Sequence, residues 1–389
     1  MVIEQIQDAL KRNGLNGWLF FDHHRRDPLA YRILQLPPTL EPSRRWYYFI
    51  PSDGEPVKLV HRIESSTLDS LPGKKESYSS WSEQQDKLWG LLRGRGRIAM
   101  QYSPRCAIPY VSMIDAGTAE LVRSAGVEIL SSADLVQEFE ARWSDEQLQM
   151  HLEAGKLVDQ VRREAFDLIR HHNRSGRYVT EYEVQQFILS RFSQLGLTTD
   201  HGPNVSVNGN ASNPHYEPAR ELCSPIQQDD LVLIDLWAKL IQPDSVYYDI
   251  TWTGFCGGSI PSHIQNIFEI VRDARNAAVR FAIEKAAGIE PFAGYEVDDV
   301  ARHYIEEQGF GEYFFHRTGH SIGTEVHGTG ANMDNLESHD ERRVIARTCF
   351  SIEPGIYLPG FGIRSEVNVY VGDGFGRVTG EVQEKLVHI

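Results

Sequence analysis

Hydrophobic positions in the first third of the chain fall in short dense runs, GWLFF, WYYFIP, PVKLVH, RIAMQYS and VEIL, separated by more polar stretches. Apolar and aromatic runs of this length, bounded by turn formers, predict strands. Their alternation with helical stretches predicts an α/β domain over residues 1–142. Ahead of the first run, Ile3, Ile6 and Leu10 recur at helical intervals among charges.

The period changes in ARWSDEQLQMHLEAGKLVDQVRREAFDLI. Ser144 and Gln147 form a capping-box pattern, and Leu148, Leu152, Val158, Val161, Ala165 and Leu168 recur at helical spacing behind them. A second domain is predicted over residues 143–389. Inside it the order of elements repeats at an offset of about 117 residues. The helix after Ser144 is answered by one after Ser262, and the helix after Thr180 by one near Glu296. Each pair is followed by a His/Gly segment, HGPN or HRTGH, and then by two strands. The two halves read as one α-α-β-β unit used twice.

The strands carry isolated acids. DDLVLIDLWAKL is apolar around Asp235, and SVYYDITWTGF holds Asp249; CFSIEPGIY holds Glu353, and FGIRSEVNVYV holds Glu366. Two-residue alternation places Asp235 on one face with Leu233 and Trp237, Asp249 with Thr251 and Thr253, and Glu366 with Arg364 and Asn368. A carboxylate in an apolar strand costs several kcal/mol unless it is paired or coordinated. Any one of them is explained by an ordinary salt bridge. Four, arranged as two similar pairs with Arg364 as the nearby basic residue, call for divalent cations as counter-charge. Two such ions roughly 3.5–4 Å apart can deprotonate a bridging water and hold a tetrahedral intermediate, which makes hydrolysis the expected chemistry. Mixed oxygen and nitrogen ligands suit manganese, cobalt or zinc better than magnesium or a thiolate-loving metal, and of these manganese is the expected ion.

Composition narrows the partners. A net charge of −15 argues against nucleic acid or an anionic membrane, both of which select cationic surfaces. The four cysteines form no CxxC pair and read as reduced thiols. The N-terminal stretch builds no signal-peptide core, and no segment reaches the ~18 apolar residues of a membrane span. These features predict a cytoplasmic protein.

FHRTGHSIGTEVHG, SIEPGIYLPG and FGIRSEVNVYV, with LIDLWAK and YYDITWTGF, resemble the pita-bread metallopeptidases, in particular the two-domain branch of prolidase, aminopeptidase P and creatinase. The resemblance covers roughly residues 144–389 by motif and implies a creatinase-like N-terminal domain before a duplicated pita-bread catalytic domain. It implies that Asp235 and Asp249 hold one metal ion, that His320 and Glu353 hold the other, and that Asp249 and Glu366 bridge both. It further implies Glu353 as general base for attack by a metal-bridging hydroxide. His215 becomes a substrate-facing residue, His327 a contact to the scissile carbonyl, and Arg364 the group that orients carboxylate and substrate. The implied activity is hydrolysis of short peptides, Xaa-Pro dipeptides or N-terminal Xaa-Pro bonds, by a homodimer. A creatinase-like C–N hydrolase and a non-catalytic binding member of the fold are the alternatives. His316 reads as structural, His201 has no counterpart in the pattern, and HHRR after the first strand reads as a solvated loop.

Three positions depart from the family pattern. Trp237 replaces a usual glycine, Trp252 an arginine, and Gly328 follows His327 where an acid is frequent. Alternation aims Trp237 toward the metal face and Trp252 away from it. The substrate, not the metal set, is what these changes bear on.

Overall fold

The apolar runs of the first third form a six-stranded mixed sheet in a computed structural model that describes residues 2–389. Strands Gly17–Asp22, Trp46–Pro51, Val57–His61, Arg97–Met100 and Glu128–Ser131 are those the sequence predicts. A sixth, Lys74–Tyr78, is polar along most of its length and lies at the sheet edge, where it pairs on one side alone. Ile6 and Leu10 of the helix Val2–Arg12 are fully buried in the core below. HHRR is more ordered than a solvated loop. The buried Asp22 accepts from the backbone N–H groups of Arg25, Arg26 and Asp27 at 2.9, 2.6 and 3.1 Å and from the Tyr31 hydroxyl at 2.8 Å.

The chain divides into two units, the first ending at Glu140 and the second spanning Ala141–Ile389. The second opens with helix Asp145–Arg174, whose Ser144–Gln147 capping box is formed in both directions. Helices Glu181–Gln194, Ser262–Gly288 and Gly294–Glu307 complete two helix pairs. One pair covers the antiparallel strands Leu231–Leu240 and Tyr248–Phe255, through a core that includes Val158, Phe166, Ile188 and Ile234. The other covers strands Thr348–Ile352 and Val367–Gly372, through Phe268, Val271, Ile352 and Val369. The α-α-β-β unit therefore occurs twice. In the second half a separate hairpin, Gly355–Leu358 with Phe361–Arg364, is inserted between the paired strands.

That insertion corrects the placement of two acids. Glu353 is not inside a strand but directly past Ile352, and Glu366 lies in the break between Arg364 and Val367. Both leave the ladder at the seam of the two halves, so their side chains are free of sheet alternation. Side-chain amides close the seam. The Asn368 amide donates to Asp249 O at 2.8 Å and accepts from Asp249 N at 3.3 Å, and Gln383 treats Thr253 in the same way at 2.6 and 3.0 Å. Each amide stands in for a backbone partner that the neighbouring strand does not supply.

Candidate metal centre

Strand register brings the first two acids together. Asp235 lies opposite Thr251 and Trp237 opposite Asp249, so all four side chains share one face. The Glu366 N–H donates to Thr251 O at 3.1 Å, and the Thr251 hydroxyl donates to Glu366 Oε2 at 2.9 Å, which carries Glu366 onto that face from the other half. Ligand atoms of Asp249, His320 and Glu366 then lie within 4.8 Å of one another, all three residues buried. Glu353 Oε1 is 3.4 Å from His320 Nε2, and Asp249 Oδ2 is 3.5 Å from it.

His320 is held in one orientation. Its Nδ1–H donates to Ser321 O at 3.1 Å, leaving the Nε2 lone pair toward the acids. Its N–H donates to Ser351 Oγ at 2.9 Å, and that hydroxyl donates to Glu353 Oε1 at 3.2 Å. Gly319 makes this approach possible, because a Cβ there would stand 1.9 Å from Ser351 O. Gly328 is less crowded: a Cβ there would stand 3.0 Å from Ser321 Oγ and 3.1 Å from Gly323 N, so a side chain at this place requires its neighbours to shift by a few tenths of an ångström.

Asp235 lies outside the tightest cluster. Its Oδ2 accepts from Arg364 Nη2, and Arg364 also reaches Glu353 Oε2 at 3.7 Å, Thr251 Oγ1 at 3.0 Å and the Tyr357 hydroxyl at 3.0 Å. Tyr357 in turn pairs with His316 Nε2 at 2.7 Å, while His316 Nδ1 donates to Arg317 O at 2.7 Å. His316 is thus structural, as the sequence suggests, in a chain that ends on Arg364. Arg364 is not the sole basic residue near the cluster, since Arg317 also lowers the pKa of His320, after burial, which is the larger cause.

The electrostatics of the acids are unbalanced. Burial, then repulsion from Asp235, raises the Asp249 carboxyl well above its ordinary range; burial, then repulsion from Asp249, does the same to Glu366. Burial also raises Glu353, although His320 and Arg364 oppose the shift. Asp249 Oδ1 and Glu366 Oε1 are buried and accept no hydrogen bond. Two orphaned carboxylate oxygens beside an imidazole lone pair fit a divalent cation, which is an acceptor-seeking charge that a proton donor could not replace in number.

His327 stacks edge-on against His320 with ring centroids 4.4 Å apart, and the neighbouring imidazole, ahead of burial, is the larger cause of its lowered pKa. His215 is solvent-exposed on the loop after Asn213 and close enough to His327 to contribute to that lowering. Sequence reasoning missed what holds these histidines. Fully buried Glu181 accepts from Val207 N, Ser224 N, Asn210 Nδ2 and the Tyr216 hydroxyl at 2.6–2.9 Å, pinning the loop that carries His215. Fully buried Asp298 accepts from Thr318 N at 2.8 Å and Asn335 N at 3.0 Å, pinning the segment that carries His320. The two acids are 117 residues apart, the same interval that separates the starts of the first helices of the two halves, Asp145 and Ser262. The repeat therefore includes the supports of the site, and an alignment of the two halves at that interval would have revealed them.

The sequence profile of metallopeptidase family M24 matches residues 149–373, more than half of the chain. The chain belongs to that family, on the prolidase and aminopeptidase P branch with its pita-bread fold. Among individual proteins it is similar to an Xaa-Pro dipeptidase of Lactobacillus delbrueckii subsp. lactis, 31% identical over 236 residues, covering 60% of this chain and 58% of the relative. The chain thus spans a little over half the length of that curated relative. The dipeptidase PepE of Mycobacterium ulcerans has the same fold, with a TM-score of 0.72 at 21% identity over 100% of this chain and 97% of the other. So does an X-prolyl aminopeptidase of Caenorhabditis elegans, described as a cytosolic enzyme with a di-nuclear active site, with a TM-score of 0.68 at 16% identity over 98% of this chain and 62% of the other.

Proposed function

We propose that the second unit binds two divalent cations and hydrolyses short peptides, with Xaa-Pro dipeptides or N-terminal Xaa-Pro bonds as preferred substrates. The observation that carries this reading is the pair of unpartnered, buried oxygens on Asp249 and Glu366 beside the oriented Nε2 of His320, in a chain of family M24. Asp235 and Asp249 would hold one ion, His320 and Glu353 the other, with Asp249 and Glu366 shared. When bound, the ions supply positive charge that activates water and polarises a scissile carbonyl.

The side chains divide the remaining work. Glu353, raised by burial and held by Ser351, is placed to accept a proton from attacking water and return it to the leaving amine. Arg364 holds Asp235 and Glu353 in place through its charge. His327, neutral because its pKa is lowered, donates a single N–H hydrogen bond to the carbonyl oxygen without adding a cation beside His320. His215 reaches the substrate from the Glu181-pinned loop. Manganese is the proposed ion, with cobalt and zinc as alternatives.

A cytoplasmic homodimer completes the reading. All four cysteines are unpaired, and among the described residues no helix is long and apolar enough to cross a membrane. Digestion of a peptide library with each metal in turn, read by mass, tests the activity. Release of proline or of an N-terminal residue, abolished in His320→Ala and Glu353→Ala, is the expected result. No cleavage by any metal-loaded preparation would end the proposal.

A further inference from the structure

One large side chain on the metal-facing side of strand Leu231–Leu240 has no part in the reaction as proposed. Trp237 lies directly across the strand pair from Asp249, and its position on the pleat sends the indole to the same face as both aspartates. The ring is partly buried and packs in the cluster that contains Tyr247, Ile322 and Val326. Its Nε1–H donates to Asp200 Oδ1 at 2.7 Å. A single hydrogen bond at the far end of a two-torsion side chain fixes the plane of the indole.

The surroundings place this plane at the substrate side. Val326 precedes His327, and the loop holding both is tied down beside Trp237. Lys239 Nζ donates to Thr324 O at 2.6 Å, and Tyr247 N donates to Gly323 O at 2.9 Å. The indole therefore fills the corner between Asp249 and the loop that ends on His327. A glycine, the usual residue of the family at this place, would leave that corner open. An atom-dense aromatic wall there excludes volume, and excluded volume in an apolar corner discriminates substrates by roughly 10- to 200-fold per small group.

We propose that Trp237, braced by Asp200, is the specificity wall of the site and restricts the residue that supplies the scissile carbonyl to a small side chain. This rests on the peptidase reading, because His327 is the group assigned to that carbonyl.

The test measures kcat/KM of the manganese-loaded holoenzyme for Gly-Pro, Ala-Pro, Leu-Pro and Phe-Pro, together with their binding by calorimetry. Wild type should favour Gly-Pro and Ala-Pro. Trp237→Ala should raise the Phe-Pro to Ala-Pro ratio at least about 10-fold. Asp200→Ala, a change at an exposed residue that leaves the core untouched, should shift the ratio in the same direction by less, and Trp237→Phe should retain the wild-type order. A ratio unchanged in both Trp237→Ala and Asp200→Ala, or a wild type that prefers Phe-Pro, overturns the wall. If wild type binds the dipeptides in the predicted size order and the variants relax it, yet nothing is cleaved, the wall stands and the peptidase reading falls. If wild type binds none of them, the wall falls too.

Discussion

Removal of divalent metal should destabilise the second unit in a way that depends on pH, and the size of the effect follows from the orphaned oxygens. A buried acceptor left without a partner costs about 1–3 kcal/mol, and Asp249 Oδ1 and Glu366 Oε1 are two such atoms. Without metal, both carboxyls have pKa values raised by burial above those of the unfolded chain. The folded protein then binds more protons than the unfolded one, so the contribution is favourable at low pH and is lost as pH rises from about 4 through the folded pKa. Metal at 100 to 1,000 times its dissociation constant restores roughly 2.7–4.1 kcal/mol per site, which for a domain of this size raises Tm by roughly 5–15 °C. Scanning calorimetry of chelator-treated protein at pH 5 to 8, with and without manganese, measures this. Metal-free wild type should lose stability toward pH 8, and manganese should reverse that slope because only ionised carboxylates ligate it. The double variant Asp249→Asn, Glu366→Gln should lack both the loss and the response. An equal manganese response in the variant, or none in wild type, refutes the reasoning.

Three further outcomes are expected. His151 is fully buried between Tyr247 O and the Thr379 hydroxyl, and burial lowers its pKa from 6.5 to about 4. Its unfolded form takes a proton first, so stability present above pH 6.5 drains as pH falls; about 2 kcal/mol should be lost between pH 7.5 and 5, and urea midpoints of His151→Gln should show that much less loss. Glu181→Gln places an amide N–H among donors that now converge on a carboxylate; it should cost about 1–3 kcal/mol in urea unfolding and raise KM more than it lowers kcat, with metal content unchanged. Gly319→Ala forces its Cβ against Ser351 O, and should cost roughly 1–3 kcal/mol and show reduced manganese content by elemental analysis.

The legible parts of this protein are those whose physical demand is local. An isolated acid in an apolar strand is costly unless paired or coordinated, and four in two similar pairs exceed what ordinary salt bridges explain, so Asp235 and Asp249 stand out of LVLIDLW and YYDIT without coordinates. The Ser144 cap and the two helix pairs are legible for the same reason, since period and cap are written within a few residues. What stayed hidden depends on partners far along the chain. Lys74–Tyr78 carries no apolar alternation because an edge strand borrows its order from its neighbour. Glu353 and Glu366 sit at strand breaks that a hairpin insertion creates, and their alternation within the sequence runs could not show it. Glu181 and Asp298 look like ordinary helix acids, and nothing in their immediate sequence tells that four and three donors, respectively, converge on them, most from distant loops. Yet these two are related by the very repeat that sequence periodicity exposed. A duplicated unit duplicates its supports as well as its ligands, so the interval read from the helices predicts where the second buried acid must lie once the first is known. The asymmetry then becomes informative: the loop pinned by the first half's acid leaves His215 exposed, the segment pinned by the second half's acid buries His320, and under the proposed function the same support serves the residue assigned to substrate on one side and the residue assigned to metal on the other.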